Sequence, residues 1–516
     1  MKTKMGSIVL INHQGQKLVK GLQIQTPSAP IGLAYIGAYI KANGYCYTGI
    51  DACGEALDNF YESGEKDILL QGLTNQQVLD RIPKDTQIFG FTSLFSHSWP
   101  IVSEMATFLR SYYPKALFVC GGEHPSAFPE QVLKTNYSSV FDVVVVGEGE
   151  ETFLDIIKCV ELGNSWRDLN GIAYLEGDNV VATTRRKRVK KIDEFPIPDW
   201  DSWSINGYID ANQVSGINLG RSMPILGSRG CPYACTFCSN EDMWERRYIM
   251  RDAKSLVDEM EYMVKKYNVT GFTFMDSTFI INKQKIKNFC RELIERNLNI
   301  NYQLPAGTRC EAFDEEMVEL LEASGLKNLA LAPESGSDYI RKIIKKQIKL
   351  ENLFKVVKLL KKSKITVSCF IVIGFPEDTH KTMHETMSLV RKLALLGIDD
   401  ITVSKFTPYP GSPLWKTLVD SGRISVNFSE LKNIVSFFDD FGKSYSNELS
   451  FKQLHSWMIK MFFNFYLISF AIRPWRLIQN FYNYFVHGIE KARYMRFFTE
   501  IFFLRKKWIK TEEVSG

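Results

Sequence analysis

The sequence predicts an α/β protein with a doubly wound parallel sheet, then a partial barrel of βα units, then a helical C-terminal region. Short apolar runs alternate with amphipathic helix-sized segments to about residue 190. The alternation resumes with a longer period over residues 222–420, and no strand pattern follows residue 425. Alternating strands and helices are typical of parallel sheets covered by helices.

The first sheet is predicted from five apolar runs, at residues 7–12, 45–51, 87–92, 116–120 and 142–146. A helix is predicted over residues 98–113, because Pro100 lies in its first turn and its apolar residues recur at helical spacing. Residues 150–160 show a similar pattern. Strands separated by helices favour a parallel, doubly wound arrangement.

A domain boundary is predicted near residue 195. The basic run at residues 185–191 precedes Pro196 and Pro198, and prolines disfavour both helix and central strand. We interpret the basic run as a solvated linker, with phosphate binding as the alternative. The predicted domains are residues 1–195, 196–425 and 426–516.

The second domain contains six candidate strands, at residues 224–228, 272–275, 302–305, 329–332, 367–373 and 401–405. A helix-sized segment follows each one. For example, Asp314 is a typical N-terminal cap and Gly325 a typical stop. Six βα units predict a TIM-type (β/α)6 partial barrel, in which ligands gather at the C-terminal ends of the strands.

Composition limits the class of protein. The 516 residues are 45% hydrophobic and 23% charged, and the net charge of +5 is too small to indicate a nucleic-acid partner. No signal-peptide pattern appears at the N-terminus, so we expect a cytoplasmic, reducing location without disulfides. No run reaches the roughly 18–20 apolar residues of a membrane-spanning helix.

One group of cysteines stands apart from the others. Cys231, Cys235 and Cys238 follow the first barrel strand with C-x3-C-x2-C spacing. In structural zinc sites, four protein ligands usually complete the coordination of the metal. A four-iron cluster held by three thiolates instead keeps one iron open for another ligand. The pattern predicts an iron–sulfur cluster. A zinc site completed from a distance, or free thiols, are the alternatives.

The spacing, together with Phe237 and the preceding Ser228-Arg-Gly, resembles the signature of the radical S-adenosylmethionine superfamily over about 200 residues. The resemblance implies a [4Fe–4S] cluster whose open iron binds S-adenosylmethionine. It also implies a 5′-deoxyadenosyl radical, a small-molecule substrate and a reductant such as flavodoxin or ferredoxin. The cofactor carries this chemistry, and the protein orients the reacting groups.

The same resemblance implies a set of residues that bind S-adenosylmethionine, each at a strand end: Phe237, Asp276, Arg309, Glu334, Ser335, Gly374 and Pro410. Taken singly, these residues have structural explanations as well. Gly374 could belong to a turn that ends a strand, and Glu334 could be an acid favoured at a helix N-terminus.

The first domain resembles the cobalamin-binding domain that precedes the radical module in one subfamily. This subfamily includes class B methyltransferases and the anaerobic Mg-protoporphyrin monomethyl ester cyclase. The resemblance lies in residues 30–39, 92–94, 121–125 and 147–152. It implies that cobalamin is bound by Thr92, Ser93, Leu94, Gly121, Gly122, Gly147, Glu148 and Gly149. Glycines at strand ends let the backbone approach a bulky ligand, although a plain doubly wound sheet could use the same glycines for turns.

Classical cobalamin domains supply a histidine in an Asp-x-His-x-x-Gly motif, which this chain lacks. The corresponding segment is taken to be Asp51-Ala-Cys53-Gly54, so we expect cobalt without a protein histidine ligand. His97 and His124 lie elsewhere in the domain, and His124 is predicted to cap a loop. A domain that had lost cobalamin would show the same absence.

The C-terminal region is rich in aromatic and basic residues. Residues 457–472 are nearly apolar, and the stretch to Lys510 interleaves basic residues with Trp475, Tyr482, Phe485, Phe497, Phe498, Phe502, Phe503 and Trp508. This pattern fits an interfacial membrane helix or a lid over a lipophilic substrate. A helical subdomain packed on the barrel is the slightly favoured alternative.

The favoured function is a cobalamin-dependent methyltransferase that acts on an unactivated carbon through the 5′-deoxyadenosyl radical and methylcobalamin. The alternative is a radical oxidative cyclase or rearrangement enzyme without net methyl transfer. A third hypothesis, from another class, is a non-catalytic lipid- or partner-binding protein.

Overall fold

The computed structural model describes residues 6–18, 27–64, 68–134, 140–212, 216–425 and 442–487. Within these ranges the chain forms two large sheets, each covered by helices, and a C-terminal helical pair. The predicted fold class is confirmed.

The first sheet has seven strands in the order β10-β9-β8-β7-β6-β1-β3. Its strands are β1 Ser7–Asn12, β3 Thr48–Asp51, β6 Thr86–Thr92, β7 Leu117–Gly121, β8 Val143–Val145, β9 Ile172–Glu176 and β10 Asn179–Ala182. The five predicted strands pair in parallel. The antiparallel hairpin β9–β10 was not predicted, and it turns at Gly177, whose φ of +58° favours glycine.

The helices of this half are α1 Ile31–Ala42, α2 Asn75–Leu79, α3 Trp99–Tyr112, α4 Glu123–Ala127, α5 Pro129–Lys134 and α6 Glu150–Leu162. A further small sheet, also not predicted, has the order β2-β5-β4 and consists of β2 Gly15–Leu18, β4 Phe60–Glu62 and β5 Ile68–Gln71.

The strand order places β1 between β3 and β6, so the chain leaves β1 in one direction and later passes it in the other. This reversal creates a crevice outside the C-terminal ends of β1 and β6, which is where open α/β sheets bind ligands.

The second sheet has six strands in sequence order, and every neighbouring pair is parallel. Its strands are β11 Ser222–Ile225, β14 Gly271–Phe274, β15 Asn301–Thr308, β16 Leu326–Glu334, β17 Thr366–Ile373 and β18 Asp400–Lys405. Parallel strands laid down in order, with a helix after each, form the predicted partial barrel. The short strands β12 Ser228–Arg229 and β13 Ile249–Met250 pair beside it.

The helices around this sheet are α8 Asn240–Trp244, α9 Ala253–Tyr267, α10 Lys283–Arg296, α11 Glu315–Ala323, α12 Asp338–Ile343, α13 Leu350–Leu360, α14 His380–Leu396 and α15 Pro413–Asp420. The predicted cap at Asp314 is confirmed, since its carboxylate accepts a hydrogen bond from the amide of Met317 at 2.8 Å.

The connection between the two sheets is packed rather than solvated. It includes helix α7 Ile205–Asp210, and Trp200, Trp203 and Tyr208 belong to a buried cluster that also contains residues of both sheets. The prediction of a solvated basic linker is therefore wrong for its arginines. Arg188 is buried, and Arg185 donates hydrogen bonds to the carbonyls of residues 242 and 243 in the second domain.

The described C-terminal region consists of α16 Phe451–Ile472 and α17 Trp475–His487. One face of α16 joins the barrel core through Leu454, Met458, Met461 and Phe465, as the subdomain alternative predicts. Among the described residues, no helix has the length and apolar character needed to span a membrane. Phe497, Phe498, Phe502, Phe503 and Trp508 lie outside the described residues.

Candidate active site

The three predicted cluster cysteines lie on the loop that follows β12. Gly230 enters this loop with φ +82°, and a Cβ there would lie 2.2 Å from the carbonyl oxygen of Arg247, so only glycine fits. Farther along, the amide of Thr236 donates to the carbonyl of Ile344 at 3.1 Å. The carbonyl of Thr236 accepts a hydrogen bond from the amide of Leu414 at 2.8 Å. These bonds attach the loop to two elements of the barrel.

The thiols of Cys231, Cys235 and Cys238 are free of disulfides. Desolvation raises the pKa of all three thiols, and the negative charges of neighbouring thiolates raise the pKa of Cys231 and Cys238 further. A [4Fe–4S] cube takes one thiolate at each of three separate irons, so the donor set fits that cluster. Among the described residues, no group of three or more His, Cys, Asp or Glu surrounds a single ion position.

Several buried polar atoms at the barrel edge have no hydrogen-bond partner. They include Thr278 Oγ1 beyond β14, Arg309 Nη1 beyond β15, Ser337 Oγ beyond β16 and Glu377 Oε2 beyond β17. Buried donors and acceptors in native proteins are nearly always paired. A ligand with amino, carboxylate and hydroxyl groups would pair them, and S-adenosylmethionine carries all three.

Arg309 lies directly above the cluster loop. Its guanidinium is 3.9 Å from the ring centre of Tyr233, and Nε donates to Glu311 at 3.1 Å while Nη1 stays unpaired. The positive charge of Arg309 also lowers the pKa of Cys235, against the larger effect of burial. Arg309 is one of the residues predicted to bind S-adenosylmethionine, and its unpaired Nη1 leaves one donor available to a ligand.

Glu334 is paired with a lysine that sequence reasoning missed. The Lys346 ammonium donates to Glu334 at 3.0 Å, both side chains are buried, and Glu334 has a left-handed φ of +65°. The charge of Lys346 lowers the pKa of Cys231 and Cys235 against the larger effect of burial. Lys346 occurs in a lysine-rich stretch, and no local pattern separates it from its exposed neighbours.

Asp276 and Ser335, which are also predicted to bind S-adenosylmethionine, make hydrogen bonds within the protein. Asp276 accepts hydrogen bonds from the amide of Gly227 at 3.0 Å and from the Ser228 hydroxyl, so it holds the start of the cluster loop. Burial raises the pKa of Asp276 to about 7. Ser335 bonds to Thr386 of α14 at 3.2 Å.

Phe237, Gly374 and Pro410 lie where the barrel edge meets other elements. The Phe237 ring is 5.7 Å from that of Phe375. A Cβ on Gly374 would lie 2.6 Å from Leu454, so α16 approaches the end of β17 closely. Pro410 precedes Gly411, which reaches α4 of the first domain.

The loops after β6, β7 and β8 contain the residues predicted to bind cobalamin, and together they form the predicted cobalamin edge. Ser93 is buried and donates its amide to the carbonyl of Gly121, while Leu94 is 48% exposed and Phe95 44% exposed. A Cβ on Gly122 would lie 2.5 Å from the Ser93 carbonyl oxygen. This edge therefore presents bare backbone and two apolar side chains, which suits a large flat ligand such as a corrin.

In the loop after β8, the acidic residue Glu148 makes contacts within the protein. Gly147, at φ +89°, donates its amide to Ser126 at 3.0 Å, and Gly149 lies against Ile36. The Glu148 carboxylate is buried between two arginines. The Glu148 side chain is therefore occupied by its arginine partners.

His124 is a packed, neutral imidazole. Its Nδ1 is 2.9 Å from the Ser96 hydroxyl, and its ring lies 5.1 Å from that of Trp99. Burial lowers the pKa of His124 to about 3. It thus holds the loop after β6, in agreement with the prediction that it caps a loop.

Asp51 and Gly54 lie at the end of β3, one strand away from the crevice. The Asp51 carboxylate accepts from Asn12 at 2.8 Å, from Gly54 at 2.9 Å and from Tyr208 at 3.0 Å. The Asp51 carboxylate is therefore buried and held by hydrogen bonds within the protein.

Two other histidines are closer to the crevice. His13, which the sequence argument did not consider, directly follows β1, and the His97 ring stacks on Phe95. Burial, and then the charge of His13, lower the pKa of His97 to about 4.

The two edges touch. The hydroxyl of Ser239, the residue after the last cluster cysteine, donates to Glu123 of α4 at 2.6 Å. The Ser126 hydroxyl lies 3.5 Å from the sulfur of Met243, and a Cβ on Gly411 would lie 2.9 Å from Ala127. The loops at the two edges are therefore in direct contact.

Comparisons with known proteins agree with this geometry. The radical SAM superfamily model matches residues 225–390, and the B12 binding domain model matches residues 19–157. The chain is a cobalamin-binding radical S-adenosylmethionine enzyme. Its cofactors are a [4Fe–4S] cluster, S-adenosylmethionine and cobalamin, which favours the iron–sulfur hypothesis over zinc.

Two curated relatives extend over most of this radical S-adenosylmethionine enzyme. An uncharacterized methyltransferase of Pyrococcus horikoshii is 24% identical over 505 residues, covering 97% of this chain and 99% of its own. The anaerobic magnesium-protoporphyrin IX monomethyl ester cyclase of Rubrivivax gelatinosus is 29% identical and covers 78% of this chain and 68% of its own.

Solved structures share the fold. The radical S-adenosylmethionine methyltransferase TsrM of Kitasatospora setae, with cobalamin and a [4Fe–4S] cluster bound, has a TM-score of 0.65 at 16% identity. It covers 89% of this chain and 91% of its own. The cobalamin-dependent enzyme OxsB has a TM-score of 0.61 at 16% identity, covering 89% of this chain and 61% of its own.

Proposed function

We propose that the enzyme transfers a methyl group to an unactivated carbon of a small lipophilic substrate held between the two strand edges. The observation that carries this proposal is the hydrogen bond between Ser239 and Glu123, which brings the cluster loop against the cobalamin edge. The bound cofactors supply a 5′-deoxyadenosyl radical on one side of this space and a methyl group on the other. The methyltransferase relative that spans nearly the whole chain supports the proposal.

The protein's own residues orient and enclose these groups. Arg309 and Lys346 are cations whose charges act on Cys235, and we propose that they hold the carboxylate of S-adenosylmethionine. Asp276 fixes the start of the cluster loop through two hydrogen bonds. Leu94 and Phe95 present an apolar surface toward solvent that a corrin or a lipophilic substrate would cover. Flavodoxin or ferredoxin is the proposed reductant.

The test needs no knowledge of the substrate. The protein is purified anaerobically, reconstituted with iron, sulfide and cobalamin, and given titanium(III) citrate and S-adenosylmethionine. We expect S-adenosylhomocysteine in an amount equal to the bound cobalamin, together with 5′-deoxyadenosine. Cobalamin-free protein is the control, and it should form deoxyadenosine alone.

The second candidate is an oxidative cyclase without net methyl transfer, favoured by the 29% identity with the magnesium-protoporphyrin ester cyclase. Cobalamin-loaded protein that forms 5′-deoxyadenosine but no S-adenosylhomocysteine would contradict methyl transfer and favour this candidate.

We also propose that the C-terminal helices rest on an anionic membrane surface. Ile459, Phe463 and Leu467 recur every fourth residue on the exposed face of α16, and Trp475 and Ile478 continue the apolar surface on α17. Residues 442–487 contain five lysines and arginines and one glutamate. Apolar surface combined with positive charge is typical of interfacial helices.

Vesicle flotation tests this contact. The full chain should float with vesicles containing phosphatidylglycerol and stay unbound with phosphatidylcholine alone. Phe463→Glu should abolish flotation, while Leu395→Glu, an exposed apolar residue on α14, should not. Equal binding by Phe463→Glu and the parent protein would overturn the proposal.

A further inference from the structure

A buried group of four charged residues joins the two cofactor edges. It consists of Glu148 and Glu150 from the loop and helix after β8, Arg188 from the connecting segment and Arg229 from β12; we call this group the latch. All four side chains are less than 10% exposed.

The latch has a definite connectivity. Arg229 donates to Glu148 at 3.2 Å and to Glu150 at 2.7 Å, so one guanidinium spans both acids. Arg188 donates to the other oxygen of Glu148 at 3.3 Å and to the carbonyl of Trp244 at 2.7 Å. Each acid has an arginine partner, and the formal charges of the four residues cancel.

Aromatic rings enclose the latch. The Arg229 guanidinium lies 5.0 Å from the ring centre of Tyr35, 5.2 Å from that of Phe195 and 5.8 Å from that of Trp244. Tyr35 is on α1 of the first domain, Phe195 on the connection and Trp244 on α8. The charges are therefore shielded from water and from salt, unlike those of an exposed ion pair.

The latch lies next to both predicted cofactor loops. Gly147 and Gly149, on either side of Glu148, belong to the predicted cobalamin edge, and Arg229 precedes the first cluster cysteine by two residues. Movement at either end of the latch therefore moves a cofactor loop directly. The only residue between Arg229 and Cys231 is Gly230, which is itself held against Arg247.

Stability alone does not explain this arrangement. Removing charges from water is costly, and apolar residues of similar volume often stabilise an interface equally well. Buried charges do, however, fix register, because a shifted arrangement would leave a charge unpaired in a dry environment.

We propose that Glu148, Glu150, Arg188 and Arg229 are positioning residues that set the separation and orientation of cobalamin relative to the iron–sulfur cluster. The proposal concerns the placement of two cofactors and holds whether the enzyme methylates or cyclises its substrate. Its failure would therefore be distinguishable from failure of the proposed function.

The experiment measures the distance between the two cofactors directly. Reconstituted full-length protein, with cob(II)alamin and a one-electron-reduced cluster, contains two paramagnetic centres whose dipolar coupling is read by pulsed electron paramagnetic resonance. The parent protein should give one narrow distance. Glu148→Gln and Glu150→Gln should lose that narrow distance while they retain iron and cobalt contents.

Glu151→Gln is the matched control, because it removes the same charge one residue farther along α6. Glu151 pairs with Arg186 of the same connecting segment at 3.1 Å, but its side chain is 40% exposed. We expect it to keep the narrow distance of the parent protein. Val356→Ala, in the barrel core on α13, controls for lost stability and should lower the melting temperature without changing the distance.

A narrow, unshifted distance in Glu148→Gln and Glu150→Gln, with both cofactors bound, would overturn the proposal. If either variant fails to fold, Arg188→Lys takes its place, since lysine keeps the charge but cannot reach the Glu148 carboxylate and the Trp244 carbonyl together. For Arg188→Lys, loss of the narrow distance would support the proposal and a narrow, unshifted distance would overturn it. The distance in the parent protein should also be the same in 1 M KCl as in dilute buffer.

Discussion

The barrel edge and the edge of the first sheet differ in the side chains that they present. The barrel edge has free thiols, the buried pair of Lys346 and Glu334, and the unpaired Nη1 of Arg309. The edge of the first sheet has bare backbone at Gly121 and Gly122 and the exposed side chains of Leu94 and Phe95.

This difference matches what the two cofactors would need at the edges predicted to bind them. S-adenosylmethionine is small and zwitterionic, so binding it requires fixed charges and hydrogen-bond partners in a dry site. Cobalamin is large and flat, so binding it requires removal of side chains from its path and an apolar surface beneath it. Parallel sheets place ligands at their C-terminal ends in both cases, and the side chains decide which ligand is held.

The largest expected effect concerns the thiols. Cys235→Ala should lower 5′-deoxyadenosine formation by about three orders of magnitude or more, because the cluster carries the chemistry. Iron and sulfide contents should fall with it, while bound cobalt should stay at the parent level. Loss of cobalamin together with the cluster would show that the two edges do not bind their cofactors independently.

The next effect concerns Lys346. Lys346→Met leaves the Glu334 carboxylate buried and unpaired, so the free energy of unfolding should fall by about 3–5 kcal/mol. The Kd for S-adenosylmethionine, measured by calorimetry, should rise at least about tenfold, the equivalent of about 1.4 kcal/mol. Lys342→Met, which replaces an exposed lysine nearby, should change neither. Unchanged affinity in Lys346→Met would remove Lys346 from the binding site.

A smaller effect tests the cobalamin edge. Gly122→Ala places a Cβ 2.5 Å from the Ser93 carbonyl at φ +111°. It should cost more than the roughly 1–2 kcal/mol of left-handed backbone strain alone and should weaken cobalamin binding, measured by absorbance titration. Gly163→Ala is the control, because Gly163 has φ +69° with no atom within 4 Å of the added Cβ. Equal cobalamin affinities in the two variants would contradict the proposed contact.

The smallest effect is a dependence on pH. Burial raises the pKa of Asp276 to about 7 from 3.8, so the folded protein holds this proton more tightly than the unfolded chain does. The contribution of Asp276 to stability therefore falls as pH rises from about 4 to about 7. Asp276→Asn should flatten this part of the stability curve, measured by urea unfolding of the cofactor-free protein. Asp420→Asn, an exposed control, should leave the curve unchanged.

Sequence patterns predicted the parts of this molecule that are local. The thiol spacing, the five strands of the first sheet and the six barrel strands follow from short segments whose chemistry or periodicity is visible in the chain. The hairpin β9–β10 was missed because its strands are short and contain no long apolar run.

The residue contacts were harder to predict. Glu148 was assigned to cobalamin by resemblance, and only the fold shows that its carboxylate is bound by Arg188 and Arg229. The basic run was interpreted as solvated because nothing in its composition indicates that Arg188 is buried while Lys187 is exposed.

The sequence by itself predicted which cofactor chemistry this chain can perform, because three thiols at fixed spacing, together with the resemblance to the radical S-adenosylmethionine superfamily, indicate a cluster with an open iron. Only the tertiary structure decided which charges accompany that chemistry and how the two cofactor edges meet. Glu148 and Arg229 are 81 positions apart, and such a pair exists only once two sheets have packed. Burial then makes the pair specific, since a charge without its partner is costly away from water.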